Sequence, residues 1–252
     1  MNLSGAVAAP LLRAWCAPRA WRFARALDDV AMTQRRTLAR ILRAVSATGY
    51  ASSLGLRADD SLDVFRTKVP VIDYAAIEPW IEAQRRGDRA ALSPGRTRCY
   101  EPTSGSSGTI KHIPYNDALL GAFRSAFAIW AHDLLKHALR LRSGRTFMSV
   151  SPPLAAGDGF DDDREYLGSA LRLLLGCFIV TPPRLREPAA FRDALACALV
   201  AAHDLEVVSV WNPSYLLILL EHFESHRERL LPGLPVDRRR LLSAGPVCWQ
   251  EV

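Results

Sequence analysis

Four short apolar runs, Thr146 to Val150, Cys177 to Thr181, Val207 to Trp211 and Leu241 to Ser243, constrain the fold of this chain more than any other feature. Each has the length and apolar content of a short buried strand. Helices are predicted between the last three, over Ala189 to Ala202 and Ser214 to Arg227. Asn212-Pro213-Ser214 opens the second of these, placing proline where its missing N–H costs little. Strands joined by helices of that length require crossover connections, which imply a mostly parallel sheet with helices on both faces. An α/β fold is therefore expected.

The earlier part of the chain reads as helical. Leu27, Val30, Leu38, Ile41, Leu42 and Val45 recur at helical spacing, and Gly49 then reads as a stop. Between Leu62 and Ile81, Pro70 and Pro79 are expected to break any long helix into short turns. Gln84 to Leu92 is charged, contains Gly87, and reads as a solvated segment.

Between these parts lies Thr103 to Pro114, Thr-Ser-Gly-Ser-Ser-Gly-Thr-Ile-Lys-His-Ile-Pro. Ser/Gly runs are ordinarily flexible linkers. This one sits between β-like segments, Thr97 to Tyr100 and Lys111 to Ile113, and just before a long apolar helix, so it reads as a loop inside a domain. Gly105 and Gly108 allow consecutive N–H groups to turn inward as a nest for an anion. Thr103, Ser104, Ser106, Ser107 and Thr109 add hydroxyl donors, and Lys111 brings a compact positive charge. The spacing is neither that of a Walker loop nor that of a dinucleotide fingerprint. There is no Gly-x-Ser-x-Gly elbow either, so a hydrolase nucleophile is unsupported. After the loop, Asn116 or Asp117 caps a predicted helix. Its stripe of Leu119, Leu120, Phe123, Phe127, Trp130, Leu134, Leu135 and Leu141 is either plain core or the wall of an acyl pocket.

Composition removes several function classes. The 252 residues are 49% hydrophobic and 23% charged, an ordinary globular mixture. The net charge of +6 comes from arginines scattered along the chain, with lysine only at Lys68, Lys111 and Lys136, so no nucleic-acid partner is expected. The five cysteines form no Cys-x-x-Cys pair, which points to a reducing compartment and no structural zinc. Arg13, Arg19, Arg22 and Arg25 interrupt the apolar N-terminal patches before a signal sequence or membrane span is complete. A cytoplasmic protein without a membrane partner follows as the expectation.

Three polar groupings remain. Asp161-Asp162-Asp163-Arg164-Glu165 reads as helix-dipole complement or as a Mg²⁺ site. His222 and His226 lie four apart, but Phe223 stands where a zinc protease has glutamate, so an exposed helix face is the expected home. His112 adjoins the loop. No metal ligand is assigned.

The loop resembles the signature of the adenylate-forming superfamily, Thr-Ser-Gly-Ser/Thr-Thr-Gly-x-Pro-Lys, matching it at Thr103, Ser104, Gly105, Ser106, Gly108 and Lys111, with Ile110 in place of proline. Further pieces sharpen the likeness. Phe65 to Tyr74, Pro79-Trp80-Ile81-Glu82, Lys111-His112-Ile113-Pro114, Glu165-Tyr166-Leu167-Gly168 and Val210 to Tyr215 together resemble the auxin-responsive Gretchen Hagen family of acyl-acid amido synthetases, which has bacterial members.

The resemblance implies a ligase in which a carboxylic acid attacks the α-phosphate of ATP, with Mg²⁺, and the acyl group then passes to an amine or thiol acceptor. It implies that Lys111 is catalytic and that Thr103, Ser104, Gly105, Ser106, Ser107, Gly108 and Thr109 hold the phosphates. Ser243, Ala244 and Gly245 would be a second segment, lining the acyl and adenine site. A Thr-Glu segment for adenine and magnesium, an aspartate for the ribose and a C-terminal lid have no counterpart before Val252. Residues 1–95 are thus expected to form a mainly helical N-terminal part. Residues 96–252 are expected to form an α/β nucleotide-binding subdomain truncated at its C-terminal end, inactive alone, with the rest of the ligase as a possible separate partner chain. The alternative is a non-catalytic half-domain that binds a nucleotide or a partner, or the relic of a truncated gene.

Overall fold

Side-chain caps set the boundaries of the N-terminal helices. The structure is a computed structural model that describes residues 3–103, 110–137, 145–148, 176, 178–180, 187–210 and 212–243. Helix α1 spans Leu3–Ala26 and α2 spans Val30–Val45, where the Asp29 carboxylate accepts from the N–H of Met32 at 2.9 Å. Helices α3 (Gly49–Ser53), α4 (Leu62–Lys68) and α5 (Tyr74–Arg85) begin at Thr48, Ser61 and Asp73, each accepting from the N–H three residues on. Satisfying an otherwise unpaired N–H in this way is worth about 1 kcal/mol per cap.

Two expectations for this region are corrected. Gly49 does not stop α2, which ends at Val45 with Ser46 as its C-cap; it opens α3, because its N–H and that of Tyr50 donate to the carbonyls of Ala90 and Ala91. A Cβ there would come within 2.9 Å of the Trp80 ring, so glycine is required by close approach. Pro70 does separate α4 from α5, but Pro79 lies inside α5. That helix survives one lost hydrogen bond because Ile81 and Gln84 are buried beyond it and the Trp80 ring packs edge-on against Tyr50.

Gln84 to Leu92 is not simply solvated either. Gly87, at φ +108°, ends α5 in a Schellman turn, with its N–H donating to Gln84 and that of Asp88 to Ala83. The chain thereby folds back, and the buried Gln84 amide gathers it: its oxygen accepts from the N–H groups of Leu92 and Ser93, and its nitrogen donates to the hydroxyls of Ser93 and Thr97. Strands β1 (Thr97–Thr103) and β2 (Lys111–Asn116) follow as an antiparallel ribbon leading into α6 (Asp117–His137).

The chain divides into two compact units. One takes in Cys16–Ala131, and the other the described residues before and after that range. In the first, Leu42, Ala51 and Leu56 form a core flanked by Leu38, Val45, Phe65 and Val69. In the second, β3 (Thr146–Met148) is the centre of a three-stranded parallel sheet, with β4 (Ile179–Val180) on one side and β5 (Val207–Ser209) on the other. Phe147 of β3 is fully buried against Phe191, Leu195 and Leu199 of α7 (Pro188–Ala201) and Leu219 of α8 (Pro213–Ser225). Removing such a ring from water contributes about 1.5–3 kcal/mol. The α/β character read from the sequence is therefore present, in a chain that is mostly helical with small sheets.

One expected strand is absent. Leu241 to Ser243 ends helix α10 (Val236–Ser243), which follows the short α9 (Arg227–Leu230). Leu242 is buried with Phe223 and Leu230 while Leu241 is exposed. A three-residue apolar run carries no period, and the preceding turn from Pro235 decides it as helix, with Arg239 N–H donating to the Pro235 carbonyl. No helix of the described residues is long and apolar enough to cross a membrane.

Candidate functional site

The β1–β2 ribbon fixes both ends of the hydroxyl-and-glycine loop. Thr103, the last residue of β1, is in register with Lys111, the first of β2, and Pro102 with His112. Residues 104–109, with Ser104, Gly105, Ser106, Ser107, Gly108 and Thr109, lie outside the described residues. Ile110, at the proline position of the family signature, is exposed.

Tyr74, at the start of α5, holds the ribbon from the side. Its hydroxyl accepts from the backbone N–H of His112 at 2.8 Å and lies 3.4 Å from the His112 carbonyl. Both edge-facing groups of His112 are met by one side chain, which also covers an open strand edge. The ring of Tyr74 lies 5.8 Å from the Lys111 ammonium, within cation–π range. Lys111 forms no ion pair with a carboxylate among the described residues, so its charge is not spent on the fold. His112 Nδ1 is buried and meets no hydrogen-bond partner among the described residues.

At the far end of the ribbon, Arg98 clamps Asp117 through two contacts, Nε to Oδ1 at 2.8 Å and a terminal nitrogen to Oδ2 at 3.2 Å. This hydrogen-bonded pair raises the Arg98 pKa and lowers that of Asp117. Asn116 caps α6, its side chain accepting from Leu119 N–H at 2.9 Å, as one of the two sequence options required. The strand entering the loop and the helix leaving the ribbon are thus tied together. An arrangement of this kind holds the Lys111 ammonium in a fixed place beside the two loop ends, where it can meet an anion.

Other candidate residues fall elsewhere. Ser243 is exposed, its hydroxyl donating to the Arg239 carbonyl at 2.7 Å, and Ala244 and Gly245 lie outside the described residues. So does the acidic run Asp161 to Glu165. His222 is not on an open helix face: it is half-buried, its Nε2 2.8 Å from Asp193 Oδ1, with the His226 ring stacked 4.3 Å away. Asp193 also takes Arg229 at 2.9 Å, and these contacts, led by the arginine, hold its carboxyl at about 2 against the opposing effect of burial. No group of three potential ligands that could hold a metal occurs among the described residues.

Tyr74 and Gln84 carry no role in the sequence reading. A signal existed for both: Tyr74 closes the Phe65 to Tyr74 segment, and Gln84 continues the Ile77, Trp80, Ile81 stripe at helical spacing.

The family model described as GH3 family N-terminal domain matches residues 19–234. A probable indole-3-acetic acid-amido synthetase, GH3.12 of Oryza sativa subsp. japonica, is 35% identical over 103 residues, which is 40% of this chain and 17% of the relative. The jasmonoyl–L-amino acid synthetase GH3.3 of the same organism is 25% identical over 225 residues, 82% of this chain and 48% of the relative. The chain therefore spans at most about half the length of these relatives. Among solved structures, the AtGH3.15 acyl acid amido synthetase in complex with 2,4-DB superposes with a TM-score of 0.62 at 21% identity, covering 81% of this chain and 38% of that one. That likeness is one of fold. With 216 consecutive residues under one family model, from 19 to 234, the chain belongs to the GH3 family and represents its N-terminal domain.

Proposed function

We propose that this chain is the phosphate-binding part of an ATP-dependent ligase that activates a carboxylic acid as an acyl-adenylate and passes it to an amine or thiol. The observation that carries the reading is the ammonium of Lys111, left without a carboxylate among the described residues at the exit of a hydroxyl-and-glycine loop whose two ends stand in register. Related family members are named as amido synthetases for indole-3-acetic acid and for jasmonoyl–amino acids, which favours a small carboxylic acid and an amino-acid acceptor.

In the reaction so assigned, a carboxylate oxygen bonds to the α-phosphorus of ATP and the bond to the β-phosphate oxygen breaks. Negative charge grows on the departing pyrophosphate. Lys111 and the loop N–H and hydroxyl groups, from Thr103 to Thr109, stabilise that charge, and their fit to a triphosphate rests on donor chemistry: seven hydroxyl or glycine positions and one ammonium, with no acid among them. Magnesium would screen the same phosphates; no ligands for it are assigned here. Acceptor nitrogen or sulfur then bonds to the acyl carbon as AMP leaves. Ser243, Ala244 and Gly245 stand as a weaker second segment, toward the acyl and adenine groups. The buried Cys16 and Cys99 thiols and the free Cys197 suit a cytoplasmic, reducing setting.

Equilibrium dialysis of the 252-residue chain against labelled ATP tests the reading. Saturable ATP binding is expected, without acid-dependent exchange of labelled pyrophosphate into ATP, since the named relatives run to about twice this length or more. No ATP binding would overturn the phosphate assignment, and robust exchange would overturn the claim that the chain is inactive alone.

A further inference from the structure

The hairpin of α1 and α2 carries a second, separate concentration of positive charge. Seven arginines stand between Cys16 and Ser46, against only Asp28 and Asp29. In sequence they look dispersed. In the structure Arg22, Arg25, Arg36 and Arg40, with Thr33 and Thr37, line one open cleft of about 530 Å³. On α2 the residues Thr33, Arg36, Thr37 and Arg40 fall at i, i+3, i+4 and i+7, a single helix face, and Arg22 and Arg25 occupy the facing stripe of α1.

The cleft is built. The Thr33 hydroxyl donates to the Ala26 carbonyl at 3.0 Å, tying the second helix to the end of the first. Thr37 donates to the Thr33 carbonyl at 2.9 Å. With their protons engaged, both hydroxyls can offer only lone pairs, so the available donors are guanidinium N–H groups. Arg22 Nε is held by the Pro18 carbonyl at 3.1 Å, and the Arg25 guanidinium rests 4.7 Å from the Trp21 ring centre. None of the four arginines forms an ion pair with a carboxylate among the described residues. Arg22 and Arg25 at i, i+3, and Arg36 and Arg40 at i, i+4, repel along their own helices. Such an arrangement is unfavourable for the empty fold and becomes favourable when an anion enters.

We propose that this cleft is a binding site for a small ligand carrying two or more phosphate groups, separate from the Lys111 loop. Guanidinium forks match phosphate oxygens two at a time, which an ammonium does not. The volume falls within the range of about 300–1,000 Å³ usual for small-molecule sites. A nucleic-acid strand would instead need positive charge extended as a track, and these four groups form a compact cluster. The phosphates could belong to a soluble metabolite or to a lipid headgroup, since the recognising chemistry is the same.

The test is calorimetric titration of the full 252-residue chain with inorganic tripolyphosphate at about 0.15 M salt. One saturable site is expected to persist in Lys111→Ala and to weaken by about tenfold or more in Arg36→Gln/Arg40→Gln. Both replacements are exposed and glutamine is a good helix former, so unchanged circular dichroism is expected as well. Arg36→Lys/Arg40→Lys keeps the charge and should still bind more weakly than the parent. Sedimentation with phosphatidylcholine vesicles doped with phosphatidylinositol bisphosphate separates the sources: binding that tripolyphosphate competes away indicates a headgroup, and no vesicle binding a soluble ligand. Unaltered affinity in the double glutamine variant overturns the proposal. So does loss of the site in Lys111→Ala, or tighter binding of a long single-stranded RNA than of tripolyphosphate.

Discussion

The hydroxyl of Tyr74 stands 2.8 Å from the backbone N–H of His112, the residue directly after Lys111, while the Tyr74 ring lies 5.8 Å from the Lys111 ammonium. One side chain thus holds the backbone at the loop exit and borders the charge that the loop presents. Tyr74→Phe keeps the ring and removes the hydroxyl. It is expected to lower unfolding free energy by about 1 kcal/mol and to weaken ATP binding slightly, whereas Tyr74→Leu, which also removes the ring, weakens ATP binding further. Urea unfolding together with ATP dialysis checks both. Equal ATP affinity in the parent and both variants would show that Tyr74 serves stability alone.

Gln84 is the polar hub of the return from α5 to the ribbon. Gln84→Leu has nearly the right volume but leaves the N–H groups of Leu92 and Ser93 without their acceptor. A loss of about 2–4 kcal/mol is expected, from two unpaired backbone donors. Gln84→Glu keeps the acceptor oxygen but no longer donates to Ser93 and Thr97, so it too destabilises. Chemical denaturation with both variants measures the effect, and a change below about 0.5 kcal/mol in Gln84→Leu would contradict the account.

Asp193 links stability to pH. Its carboxyl is held at about 2, below the unfolded value, chiefly by hydrogen bonding to Arg229 and also by His222. The contribution is therefore complete above the unfolded carboxylate value of about 4 and fades as pH falls from there towards 2. Asp193→Asn should cost about 1–2 kcal/mol at neutral pH, the lower part of the range for charged hydrogen bonds because Arg229 is exposed to screening. Denaturation curves of parent and variant should converge near the acid end of that window. A gap of constant size from pH 7 to pH 2 would contradict the assignment.

What could be read from the sequence was whatever is decided locally. Asn116 and Asn212-Pro213 announce helix starts within three residues, and the structure uses each as a cap. The strands on either side of the hydroxyl-and-glycine loop were legible as well, and the structure pairs them in register from Thr103 and Lys111 outward. Gln84 was not, since its partners return to it only after the Gly87 turn reverses the chain. Leu241 to Ser243 was too short to show a period and took its state from the turn at Pro235. Arg22, Arg25, Arg36 and Arg40 looked scattered until two helices folded against each other and placed them around one cleft.

The most direct measurement is ATP affinity in the Arg36→Gln/Arg40→Gln background, which silences the second anionic site, with and without Lys111→Ala. The account predicts that ATP binds the double variant, and that removing the Lys111 ammonium weakens it about tenfold or more, with little change in thermal unfolding because Lys111 forms no ion pair among the described residues. Equal ATP affinity with lysine and with alanine at 111 would contradict the claim that this loop is the phosphate site.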